Sequence, residues 1–245
     1  MYVVIKEIQM DRRTFLKSVP AFTVLAGAVS GLAQEAGAGS DSAQGLEPIV
    51  LAKPGTDGGK SVMAALWERK TNRNVSDKEL PHQVLSDLLW AAFGINRPSG
   101  PRERTGRTAA SASNSQEIDL YVALAKGVYI YDATGHCLVP VVVGDFRRRS
   151  GRRSAATAPV NIFYVADIAK FAKAPFQEPG LKDSDVQKSY YYIGAGLIAQ
   201  NVYLFAASQG LAAWFHNCDK NNTPKEFKLR PEQKVLFSQT VGYPA

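Results

Sequence analysis

The chain has 245 residues, 45% hydrophobic and 21% charged, with a formal net charge of +7. That is globular composition, which excludes a disordered or collagen-like chain, and the length suits one or two domains with an ample core. Two cysteines, Cys137 and Cys218, exclude a disulfide scaffold. No CxxC or HExxH is present, so nothing marks a metal site.

In chain order, Asp11-Arg12-Arg13-Thr14-Phe15-Leu16-Lys17 stands before an apolar stretch from Val19 to Ala33, followed by Ala36-Gly37-Ala38. A charged start, a short apolar run and small residues make a secretory signal, and the paired Arg12 and Arg13 look like the twin-arginine type. Pro20, Gly27 and Gly31 interrupt the apolar run, which is too weak for a spanning helix of ~20 apolar residues. Met10 is a candidate start, since the nine residues before it add nothing a signal needs. The expectation is therefore a signal over 1–38, export by the twin-arginine machinery and a periplasmic protein. Without residues 1–38 the net charge is +6.

Residues 39–60, rich in Gly, Ser and Asp, read as a linker or N-terminal arm. The spacing of Val62, Ala65, Leu66 and Arg69 predicts a helix over 61–70. Ser76 with Glu79 three residues on reads as a capping box. A second helix is predicted over 81–93, with Pro81 in its first turn. Residues 96–114 read as a long polar loop, a kind of segment often tied to function. Strands are predicted over 118–124, 128–131, 138–143, 160–165 and 235–241, with a hairpin at Lys126-Gly127. A long helix is predicted over 190–208, where Gln200 and Asn201 need partners if buried. Strict βαβ alternation is missing, which favours α+β.

Three segments carry candidate chemistry. Glu68-Arg69-Lys70-Thr71-Asn72-Arg73 packs three cations and a hydroxyl at a helix end. That group suits a phosphate, and it equally suits a helix C-terminus that offsets its dipole. Thr108 to Gln116 holds small side chains and two amides that suit a planar heterocycle, or an ordinary loop. Gly194 to Phe205 reads as a buried interface helix. The run Arg147-Arg148-Arg149-Ser150-Gly151-Arg152-Arg153 reads as a solvated hairpin tip, with a site for an anionic lipid or substrate as the alternative. Nucleic acid is not expected, because the run lacks interleaved aromatics and the protein is exported. With no GxSxG, a serine hydrolase has no support.

Taken in order, these segments resemble the nitroreductase family of FMN proteins, and look closest to its branch of thiazoline and oxazoline peptide dehydrogenases. Arg69-Lys70-Thr71-Asn72-Arg73 resembles the family's opening basic motif. Ala110 to Gln116 resembles its Pro-Ser-Ser-x-Asn-x-Gln loop. The helix with Gln200-Asn201 and Gly210-Leu211 resembles its interface helix, and Val241-Gly242-Tyr243-Pro244 its closing segment. The resemblance implies a nitroreductase-like domain over 61–245: an α+β fold with a central, mostly antiparallel sheet flanked by helices, and an intertwined homodimer with FMN at the interface. It also implies an oxidoreductase that moves a hydride through flavin N5 to or from a small organic or peptide-derived substrate.

By the same resemblance Arg69 and Arg73 hold phosphate and flavin, assisted by Lys70 and Thr71. Ser111, Ala112 and Asn114 come from the other chain, and His216 and Asn217 pass near the ring. Lys188, Tyr190, Tyr191 and Tyr192 are the candidates for a Lys–Tyr pair, and no acid or base is assigned. The sequence departs from the pattern at Ala110 and Glu117, and ends at Ala245 without a late basic residue that many relatives carry. Arg69, Arg73 and Lys234 are the residues expected to compensate. Export implies an electron partner other than a nicotinamide dinucleotide, such as oxygen, a quinone or a membrane protein. The alternatives are a flavin-free anion-binding module on the same fold and a flavin-consuming enzyme.

Overall fold

The strand signals at 118–143 and 160–165 come from β-branched and aromatic residues in short runs between turn residues. The computed structural model describes residues 45–245 apart from 101 and 103; the signal segment 1–38 and residues 39–44 lie outside the described residues. The elements are β1 (Ile49–Val50), α1 (Val62–Glu68), α2 (His82–Phe93), β2 (Ile95–Arg97), β3 (Gly106–Arg107), β4 (Ile118–Ala123), β5 (Gly127–Asp132), β6 (Cys137–Val143), β7 (Val160–Asp167), α3 (Ser184–Ser208), β8 (Ala212–His216), α4 (Thr223–Glu226) and β9 (Gln233–Gly242). Seven strands form one sheet in the order β1-β6-β5-β4-β7-β9-β8, and every neighbouring pair is antiparallel. The α+β expectation holds.

Alternation along the strands divides the core between two faces. Leu120, Val122, Ile162, Tyr164 and Leu236 face α2 and α3. Tyr121, Ala123, Phe163, Val165 and Val235 face the other way, where Phe227 closes a smaller cluster. All eight residues of β7 are buried, as a central strand covered on both sides requires. The predicted hairpin is present, with reciprocal bonds between Leu124 and Gly127 of 2.9 and 3.3 Å.

Both predicted helices before the sheet form. Ser61 caps α1 by accepting from the Ala64 N–H at 3.3 Å, and Pro81 stands at the N-cap of α2 rather than inside its first turn. α3 begins six residues earlier than its apolar pattern suggests, because the Asp183 side chain caps it through the Asp185 and Val186 N–H groups. Its small buried residues allow close approach to the sheet, and the Ala199 carbonyl accepts from Gln239 on β9. Gln200 is exposed, while Asn201 donates to the carbonyls of Ala92 and Thr108.

Three expectations are corrected. Ser76 caps no helix: its N–H donates to the Tyr243 carbonyl and Val75 bridges to Pro244, so the chain is drawn to the sheet instead. The 96–114 loop holds a two-stranded ribbon, β2 with β3, and a 3₁₀ turn over Ala112–Asn114. The 147–153 run is not a hairpin tip, since it joins β6 to β7, which are not neighbours; Arg147–Ser150 form a 3₁₀ turn with Arg147 and Arg149 tied down, while Arg148, Arg152 and Arg153 stay exposed as expected.

Candidate functional site

The basic segment leaves α1 at Arg69 in extended geometry (φ −55°, ψ 120°) and runs against β8, where the Asn72 N–H donates to the Ala213 carbonyl at 3.0 Å. The contacts alternate. The Arg69 guanidinium lies over the Tyr203 ring, 5.4 Å from its centroid, and Thr71 Oγ1 pairs with Tyr203 Oη at 3.1 Å. Arg73 lies over Trp214 of β8 at 5.5 Å. Lys70 and Asn72 line a pocket of about 270 Å³ with Tyr203, Gly210, Leu211 and Pro244. Tyr203 therefore borders Arg69, Thr71 and the Lys70 pocket alike, while Arg73 sits on Trp214. Tyr203 Oη also accepts from the Phe215 N–H at 2.8 Å, so this one hydroxyl joins α3, the basic segment and β8.

Trp214 receives a second cation. Arg152 lies 5.7 Å from its centroid. The loop that delivers it is fastened by Arg149, which pairs with Asp219 at 2.9 Å and makes a bidentate pair with Glu226. Among the described residues no carboxylate forms an ion pair with Arg69, Arg73 or Arg152. Arg73 and Arg152 thus place two guanidiniums without an ion-pair partner against one ring, a set that suits an anion. Lys234 does not join them. It pairs with Ala166, six positions along β9 from the Thr240 that faces Trp214, about 20 Å at the rise of a strand.

His216 follows Trp214 by two residues, with ring centroids 4.5 Å apart. It is buried, with Nδ1 at 2.9 Å from the Asn217 carbonyl and Nε2 at 2.9 Å from Thr240 Oγ1. Burial, with Arg152 adding to it, lowers the imidazole pKa. Both ring nitrogens are engaged within the protein, so His216 shapes the floor under Trp214 while the neighbouring Asn217 is exposed.

Ser111, Ala112 and Asn114 lie in a second cluster. Ser113, Asn114 and Gln116 all take left-handed φ values of 52°, 52° and 51°, a strained run for residues with a Cβ. Gln116 holds it in place: its amide accepts from Arg107 Nε and donates to the Thr105 carbonyl and Asn114, while its N–H donates to Ser111 Oγ. Arg107 also donates to the Phe93 carbonyl, and burial lowers its pKa. Ser113 Oγ and Tyr190 Oη both donate to Glu178 Oε1, at 3.3 and 3.0 Å. Tyr191 is buried, whereas Lys188 and Tyr192 are exposed.

Within one chain the two clusters stay apart. Tyr190 marks one end of α3 and Tyr203 the other, thirteen residues or about 20 Å along the axis. A cavity of about 660 Å³ between the start of α2 and the sheet, lined by Leu80, His82, Tyr129 and Arg147 among others, contains none of these predicted residues. Tyr203 and Trp214 escaped the sequence reading, which held Arg152 only as a member of the basic run. Tyr203 sat inside an apolar pattern, and the alternation Trp214-Phe215-His216 was the missed sign of β8.

The nitroreductase family model matches residues 66–243. The chain belongs to the nitroreductase family. It is 28% identical over 184 residues to a protein named as a nitroreductase from Methanocaldococcus jannaschii, spanning 72% of this chain and 88% of that one. Its fold matches a nitroreductase-family structure from Ralstonia eutropha with a TM-score of 0.71 at 31% identity, over 91% of this chain and 99% of that chain. The E. coli microcin synthetase McbBCD complex shares the fold at 18% identity and a TM-score of 0.58, over 80% of this chain and 78% of the other. Nitroreductase-family proteins are oxidoreductases that generally depend on FMN.

Proposed function

We propose that this chain is an exported, FMN-dependent oxidoreductase that works as a homodimer on a small organic or peptide-derived substrate. The observation that carries the reading is the pair Arg69 and Arg73. Both sit at the position of the family's opening basic motif, each over an aromatic ring, and neither has a carboxylate partner among the described residues. That donor set fits a phosphate monoester, because guanidinium forks match phosphate oxygens in pairs. Bound FMN supplies the hydride chemistry at N5. Arg69 and Arg73 would hold the phosphate, Thr71 and Tyr203 would fix the segment that carries them, and His216 and Asn217 would border the ring.

The second half of the site comes from a second copy. Ser111, Ala112 and Asn114 belong to the cluster around Glu178 and Tyr190, thirteen residues along α3 from Tyr203, and a two-fold assembly would bring them to Arg73. Exposed apolar residues support this: Val62 (68% exposed), Met63 (74%) and Trp67 (92%) on α1, with Ile193 (60%) and Leu197 on α3. A patch of that kind marks an interface. The peptide dehydrogenase branch is favoured by the sequence resemblance. The twin-arginine pattern supports a periplasmic location. Among the described residues no helix is long and apolar enough to cross a membrane. A nicotinamide dinucleotide is not the everyday electron donor in that compartment, and rapid NADPH oxidation with a micromolar KM would count against this part.

The experiment is an absorption spectrum of residues 39–245 purified from cells and supplemented with FMN. Oxidised-flavin bands that stay with the protein through gel filtration, and vanish in Arg69→Ala/Arg73→Ala, are expected. A colourless protein that ignores FMN returns the site to a general anion pocket.

A further inference from the structure

The run of five arginines between 147 and 153 is the most concentrated charge in the chain, and its members do different things. Arg147 is committed to Asp145 at 2.7 Å and to the carbonyls of Thr157 and Ala158. Arg149 is committed to Asp219 and Glu226, and its carbonyl accepts from the Asp219 N–H at 3.0 Å. These bonds clip the loop to the segment that follows β8. Gly151 then turns the chain with φ +75°, a left-handed geometry that a side chain resists, close against Cys218 and Asp219. The next residue is Arg152, delivered onto the same Trp214 ring as Arg73 and close enough to His216 to lower its pKa.

We propose that Arg152 is the third arginine of a phosphate-binding cluster with Arg69 and Arg73, supplied by a loop outside the opening basic motif. The proposal rests on the flavin reading for the identity of the ligand, and on the structure for the site. The loop is built to present this side chain: two arginines and a left-handed glycine fix the backbone around it, and its guanidinium faces no counter-charge. A phosphate between Arg73 and Arg152 removes their mutual repulsion and gains a forked, charge-assisted contact from each. A hydrogen bond to a charged group contributes about 1.5–3 kcal/mol, or roughly a 10- to 100-fold change in affinity.

The test is fluorescence titration of the wild-type protein, Arg152→Ala, Arg152→Lys and Arg148→Ala with FMN and with riboflavin, which lacks the phosphate. Arg148 is exposed near Asp145, so its removal controls for net charge alone. Expected are a 10- to 100-fold loss of FMN affinity in Arg152→Ala, partial recovery in Arg152→Lys, and less than about a two-fold change with riboflavin. An equal loss for both flavins, an equal loss in Arg148→Ala, or no loss at all overturns the proposal. If the wild type binds neither flavin, the cofactor reading has failed by itself. Inorganic pyrophosphate then becomes the probe, followed by tryptophan fluorescence. A response abolished by Arg152→Ala keeps the phosphate cluster, and a silent wild type removes it.

Discussion

Gly194 on α3 stands against Glu117, so that a Cβ added there would lie 2.8 Å from Glu117 Oε1. Glu117 is fully buried. Its Oε2 accepts from Ser115 Oγ at 2.6 Å, and its Oε1 has no partner among the described residues. Burial raises its pKa, with the Ser115 bond and Lys170 opposing. A carboxyl raised in the folded state stabilises most below its unfolded value near 4.5, and that stability drains away as pH climbs through the raised value. Glu117→Gln should therefore flatten the pH dependence between 5 and 8. At pH 8 it should stabilise by on the order of 1 kcal/mol, as expected when a poorly paired buried charge is neutralised. Urea midpoints at the two pH values check this; a variant as pH-sensitive as the wild type would refute it.

Tyr203→Phe keeps the ring under Arg69 and removes the hydroxyl shared by Thr71 and the Phe215 N–H. A loss of about 1–2 kcal/mol in stability is expected, because the Phe215 N–H is left unpaired. Flavin affinity should fall a few-fold, as Arg69 and Thr71 lose their common anchor. Thermal melts and flavin titration read the two effects separately, and unchanged affinity would show that Tyr203 only ties α3 to the sheet.

Arg149→Ala breaks the clip beneath Arg152. Asp219 stays ionised into acid, since bonds from the Asn222 side chain and backbone, with Asn221 and Arg149, hold its pKa to about 2. Its stabilising effect is thus present above the unfolded value near 3.8 and lost as pH falls through about 2. Removing Arg149 is expected to weaken FMN binding as well as the fold. In a double-mutant cycle Arg149→Ala and Arg152→Ala should be less than additive, because the first acts through the second. Full additivity in FMN affinity would separate them.

Arg73→Ala and Asn114→Ala should each abolish flavin binding in a homodimer. Mixed after dissociation, half of the resulting dimers pair one variant with the other, and each of these holds one intact site out of two. About a quarter of the wild-type flavin content is the expected recovery on random pairing. No recovery from a mixture of folded dimers would mean that the two clusters do not serve one site.

The elements with long apolar periodicity were legible because their burial is local: α2, most of α3, and strands β4 to β7. What was not legible depended on distant partners. β8 has only five residues and becomes a strand by pairing with β9, Trp214 against Thr240. The Ser76 capping signal lost to Tyr243 and Pro244, more than 160 positions away. The arginine run looked solvated because Asp219 and Glu226 lie 70 and 77 residues on. Arg69, Lys70, Thr71 and Arg73 were readable as a group from the motif, whereas the aromatic seats of Arg69 and Arg73 follow from the extended chain against β8. Lys234 was an error of register: the residue is basic, and it sits at the wrong end of its strand.

The basic segment also shields the sheet at β8, and its own hold comes from Ala213, Tyr243, Pro244 and Ala245, whose N–H donates to the Asn74 carbonyl at 3.1 Å. Residues 72–76 thus wait for partners at 213 and 243–245 before they have anything to lie against. Until those partners are in place, the edge of β8 lies open to pairing with another chain. Order in the basic segment and protection of that edge are therefore acquired in the same step of folding.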